Sequence, residues 1–127
     1  SELMEVSDRC AMKVTSDGKP DFSTLLSYGN EAVMLEKLIT ETEKEMRLMQ
    51  DEATKKDMKG LDAITHHLRS SWEVLRADQP LRVLYGLLHG KDKPDTEALS
   101  NAVTAVLDKG AEIIRLAEEE RRKYENG

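Results

Sequence analysis

Between Leu25 and Met49 the apolar side chains recur at alternating steps of three and four: Leu25, Tyr28, Ala32, Leu35, Ile39, Thr42, Met46, Met49. A strand turns its side chains over every second residue, so this spacing fits only a helix that shows one face to a core. Leu26, Val33 and Leu38 widen the stripe, as a helix packed among others requires. The pattern recurs in Met58, Leu61, Thr65, Leu68, Trp72 and Leu75, with Ile64 beside it. It appears a third time in Leu99, Val103, Val106, Gly110, Ile113 and Ala117, flanked by Ala102, Leu107 and Ile114. Three stripes of near-heptad spacing predict small-angle helix packing. Gly110, inside the third stripe, predicts close approach of another backbone.

The expected fold is all-α: an antiparallel helical bundle of three long helices, 23–51, 57–77 and 95–124. A short helix, 80–89, is wedged between the last two. Composition agrees. With 39% hydrophobic and only 4% aromatic residues, the core must be aliphatic, whereas sandwiches spend aromatic and β-branched residues on strands. The 127 residues suit one domain, 21–127, preceded by a poorly ordered arm, 1–20, in which Ser16-Asp17-Gly18 signals a turn.

Punctuation sets the provisional boundaries. Asp21 or Ser23 serves to cap the first helix, and Gly29-Asn30 is a weak point at which it starts or restarts. The charged run 51–57 is read as a hairpin turn near 52–57 or as a solvated continuation of the helix. A single helix from 30 to 77, about 70 Å long, is too long for a compact monomer. Asp78-Gln79-Pro80 ends one helix and opens the next, with Asp78 as N-cap and Pro80 in the first turn. Leu81, Val83, Leu84, Tyr85, Leu87 and Leu88 make the short helix apolar nearly all round, and so buried on most sides. Gly90 is assigned the left-handed position after it. Asp95 or Thr96 opens the last helix, whose end, from Glu118, has no apolar face apart from Tyr124.

The chemistry-bearing residues form no recognisable constellation. His66 and His67 are neighbours, about 100° apart on a helix, and lack the four-residue spacing of paired zinc ligands. His89, near a helix C-terminus, gains modestly from the helix dipole when protonated. Cys10 is the only cysteine, which excludes an internal disulfide and a multi-cysteine zinc site, and fits a reducing compartment. It has no base at a recognisable spacing. Glu41, Glu45 and Glu118 to Glu120 lack the Glu-x-x-His pattern of di-metal bundles and read as solvated faces. The expectation is no enzyme, no metal and no cofactor. The net charge of -6 argues against a general polyanion binder, and no apolar run reaches the length of a membrane span. Without an h-region of a signal peptide, the expected location is cytoplasmic.

The favoured function is therefore a non-enzymatic protein–protein interaction module: a regulator, an assembly or secretion chaperone, or an oligomerisation domain. Its partner is another protein or a second copy in a homodimer. Met46, Leu48, Met49, Trp72 and Tyr85 are the candidate partner-binding residues; methionine is common on adaptable binding surfaces because its side chain is flexible and polarisable. Leu48 sits roughly 200° round the helix from Met46, so it is the one expected to face outward. Trp72 and Leu81 to Leu88 are equally expected to centre the bundle, around a corner spanning residues 63–90. An enzymatic reading places a site around His66, His67, Arg69 and Trp72 and requires a hollow where they converge.

The segment Leu75 to Leu84, continued by Leu87-Leu88-His89-Gly90, resembles the first core helix of winged helix–turn–helix repressors. The resemblance implies DNA binding through 63–107. The chain departs from that pattern after Gly90, where there is room for one helix start rather than two. Ala98 to Leu107 also carries no basic residue, where a recognition helix would need them.

Overall fold

A computed structural model describes residues 18–125. Among them are five helices and no strand: α1 (Ser23–Leu26), α2 (Glu31–Lys55), α3 (Met58–Val74), α4 (Gln79–Leu88) and α5 (Thr96–Glu125). Cys10 and most of the N-terminal arm lie outside the described residues. Of the arm expected over 1–20, residues 18–20 are described, and Gly18 and Lys19 are exposed. Pro20 is buried, the Asp21 N–H donates to the Leu75 carbonyl at 2.8 Å, and Phe22 enters the core at 8% exposure.

The helix expected over 23–51 is two helices. Gly29 and Asn30 take positive φ, 84° and 52°, and the chain turns there. Asn30 stands at the N-cap of α2 but makes no side-chain cap bond. Before the turn, α1 is anchored by the Ser23 N–H donating to Asp21 Oδ1 at 2.9 Å. The Ser23 hydroxyl and N–H together hold the Asp21 carboxyl below the usual carboxylate range. Tyr28, assigned to the first stripe, falls on this turn and is exposed.

The charged run after Asp51 continues α2 to Lys55. The helix then closes with Lys56 in the left-handed region, the Lys56 N–H donating to the Ala53 carbonyl and the Asp57 N–H to that of Glu52. These two bonds are a Schellman closure, which satisfies carbonyls left free at a helix end. The same closure ends α3, with Arg76 left-handed, its N–H bonded to the Glu73 carbonyl and the Ala77 N–H to that of Trp72. Between the two, Asp57 caps α3 by accepting the Gly60 N–H at 3.0 Å.

Buried residues follow the three stripes. Leu35, Leu38, Ile39, Thr42, Met46 and Met49 of α2 join Leu61, Ile64, Thr65, Leu68 and Trp72 of α3 and Ala102, Val103, Val106, Gly110, Ile113 and Ala117 of α5. The Thr65 hydroxyl donates to the Leu61 carbonyl at 2.7 Å, so this buried polar group is satisfied within its own helix. Gly110 stands against Met46, and a Cβ added there would strike the Met46 side chain. α2 packs along α5, α3 on α2, and α4 on both α3 and α5.

The short helix α4 differs from its expected burial. Only Leu81 and Leu84 are buried, Leu87 and Leu88 are partly covered, and Val83 is 49% exposed. Its ends differ too. Asp78 occupies the N-cap position without a cap bond and pairs with Arg82 at 3.3 Å. Gly90 is not left-handed; the helix ends on His89, whose N–H bonds the Tyr85 carbonyl.

Candidate functional site

α4 buries only one of its apolar sides. Leu81 and Leu84 point into the core, which leaves Val83 and Leu87, one turn apart, on a second side that faces α5. The matching side of α5 carries Ala98, Asn101, Ala105, Asp108, Glu112 and Arg115, again at three- and four-residue steps. Small residues at its start leave a trough beside the ridge of α4. The result is a groove of about 950 Å³, walled by Pro80, Val83 and Leu87 and floored by Ala98, Ala102 and Ala105.

Its charged end is mostly paired within the chain. Lys109 Nζ lies 2.7 Å from Glu112 and 3.4 Å from the Gly18 carbonyl, and Arg115 reaches Glu119 at 3.4 Å. Asp108 has no ion pair among the described residues. A second hollow, of about 480 Å³, lies between the α2–α3 turn and the first turns of α5, with Leu61, Leu99 and Val103 as its apolar walls.

The five residues proposed from sequence do not converge. Met46, Met49 and Trp72 are core side chains, at 8%, 0% and 0% exposure, and offer no surface to a partner; assigning them to one is corrected by their burial. Leu48 does face outward, at 40% exposure, on α2. Tyr85 is half-buried between Arg69, 4.9 Å over its ring, and His89, stacked at 4.2 Å.

The histidines are not all bystanders. His89 Nε2 lies 2.7 Å from Asp62 Oδ1 and clasps the end of α4 to α3, and His67 approaches Glu45 at 3.6 Å. His66 is exposed, and neither hollow is lined by His66, His67, Arg69 or Trp72. No group of three or more His, Cys, Asp or Glu side chains among the described residues is placed to hold a metal ion. No helix among them is long and apolar enough to cross a membrane.

Val83, Ala98 and Ala105 are the residues that sequence reasoning missed. A signal existed in the second, small-residue face of α5, but Val83 and Leu87 were absorbed into a helix read as buried on most sides. Comparison with known proteins found no matching family model, no matching characterised protein and no matching solved structure.

Proposed function

We propose that this chain is a non-enzymatic protein-interaction module, built as an antiparallel bundle of α2, α3 and α5 with α4 leaning on the last two. The α4–α5 groove is its docking surface. One observation carries the reading: Val83 is left 49% exposed beside an alanine floor in a groove of about 950 Å³. An apolar groove between helices is the usual receptacle for an apolar helix face. The charge supports a protein partner over a polyanion. The chain is net -6, and the α5 side of the groove has no cation before Lys109. The single cysteine suits a reducing, cytoplasmic setting.

A photo-crosslinking side chain placed at position 83, in the chain expressed in its native host, tests this. Adducts to protein are expected from position 83 and not from the exposed Thr40 of α2. If position 83 yields none while Thr40 or Leu48 does, the docking surface is elsewhere and the groove reading fails.

A further inference from the structure

We propose that the hollow between the α2–α3 turn and the first turns of α5 binds a small organic acid, a carboxylate carried on an apolar body. This hollow shares no lining residue with the α4–α5 groove, so the proposal stands apart from reading that groove as a docking surface. Its volume, about 480 Å³, is that of a small-molecule site, for which about 300–1,000 Å³ is usual. It is also more enclosed than the groove. Among its apolar walls, Leu61 and Val103 are buried, and Ala53 and Leu99 are half-buried. Along α5 the hydroxyls of Thr96, Ser100 and Thr104 recur at four-residue steps, one row over from Leu99 and Val103. One side of the recess is therefore apolar, and the side next to it can donate hydrogen bonds.

The charge at the mouth has a single sign. Lys56, from the α2–α3 turn, and Lys93, from the segment that leads into α5, both border the hollow, and no carboxylate does. In a chain of net -6 this runs against the overall balance. Neither lysine has an ion pair among the described residues. Acids close to them in sequence are committed to helix ends: Asp57 accepts the Gly60 N–H and Asp95 the Ala98 N–H. A carboxylate between the two ammonium groups then stays at the wet mouth, while its apolar chain lies against Leu61, Leu99 and Val103.

The backbone agrees with the charge. Lys56 is left-handed, with φ 58°, at a position where glycine is the least strained residue. Arg76 is left-handed too, but Asp21 lies near enough for Arg76 to help hold that carboxyl low. Lys56 has no such partner among the described residues, and a bound anion supplies one.

Amide shifts of the isotope-labelled full chain, titrated with decanoate, read this directly. Saturable shifts are expected at Leu61, Leu99 and Val103 and not at Val83 or Ala105. Decanol, with the same tail and no charge, should bind about tenfold more weakly. Lys56→Gly and Lys93→Gln should each weaken decanoate binding about three- to tenfold. Lys44→Gln removes the same charge from an exposed position outside the hollow and should leave binding unchanged. Lys56→Gly should also raise Tm by a few degrees, because glycine takes the left-handed position without strain. Affinity lost in a more stable chain does not come from unfolding.

Absence of saturable shifts, or shifts confined to the α4–α5 groove, overturns the proposal. So does decanol binding as tightly as decanoate, or Lys44→Gln losing as much affinity as the two variants at the mouth. A Tm that falls together with affinity in Lys56→Gly overturns the two-lysine site, because Lys56 would then be holding the turn.

Discussion

Trp72 is wholly buried, and its indole N–H finds no acceptor among the described residues. A buried donor without a partner costs about 1–3 kcal/mol, so the ring's apolar body must outweigh its polar edge. Two substitutions separate these effects. Trp72→Ala, which empties the site, is expected to cost about 3–5 kcal/mol. Trp72→Phe keeps most of the volume and removes the orphan donor, so it should cost no more than about 1.5 kcal/mol. Urea denaturation of the two variants measures both. The contact of Gly110 with Met46 gives a change of sign. Alanine favours a helix over glycine by about 1 kcal/mol, but here its methyl group meets the Met46 chain and forces a shift costing about 1–3 kcal/mol. Gly110→Ala should therefore destabilise the native chain, yet stabilise a chain already carrying Met46→Ala. The double-mutant cycle reads the coupling.

At the scale of elements, the turn between α2 and α3 holds two carboxyls that titrate in opposite senses. The Gly60 N–H first, and then the Glu52 side chain, hold the Asp57 carboxyl below the usual carboxylate range. The hydrogen bond to Asp57 first, then partial loss of water, pushes Glu52 up. Asp57, with its folded value depressed, contributes stability above the unfolded carboxylate range and loses it as pH falls through the folded value. Glu52, with its folded value raised, contributes at low pH and loses that contribution as pH rises through it. Glu52→Gln should steepen the loss of stability in acid, and Asp57→Asn should flatten it, in urea midpoints taken between about pH 2 and 6.

The helix ends also show where sequence reading stops. Apolar spacing marked which faces of α2, α3 and α5 are buried, because periodicity and burial have one cause. It did not mark where α2 and α3 stop, because Lys56 and Arg76 take the left-handed position that Gly90 was expected to fill. A lysine or arginine held there by the surrounding fold looks like any other surface residue in a sequence. Asp95, expected to open the last helix, was plainer: it accepts the Ala98 N–H, the ordinary habit of an N-cap, whereas Asp57, which accepts the Gly60 N–H in the same way, was read only as part of a charged run. The outward side of α4 was illegible for the opposite reason. Val83 and Leu87 have the composition of core residues, and only the position of α5 shows that one side stays open.

For the whole molecule, the seam where α2 lies along α5, with Met46 against Gly110, bears on how quickly the chain folds and how it comes apart. The pairs α2–α3 and α3–α4 join neighbours through short turns and close little chain, whereas the α2–α5 seam joins helices separated by all of α3 and α4. Loop closure makes distant pairings the slow ones, so the local corners are expected to form first and α5 to dock last. A substitution that weakens the seam, such as Met46→Ala, should then leave the refolding arm of a chevron almost unchanged and raise the unfolding rate. A substitution at the α2–α3 turn, such as Asp57→Ala, should slow refolding. If both act on the same arm, the order is wrong. If they divide as expected, the lifetime of the folded chain is set by the grip of its last helix and its rate of formation by its corners.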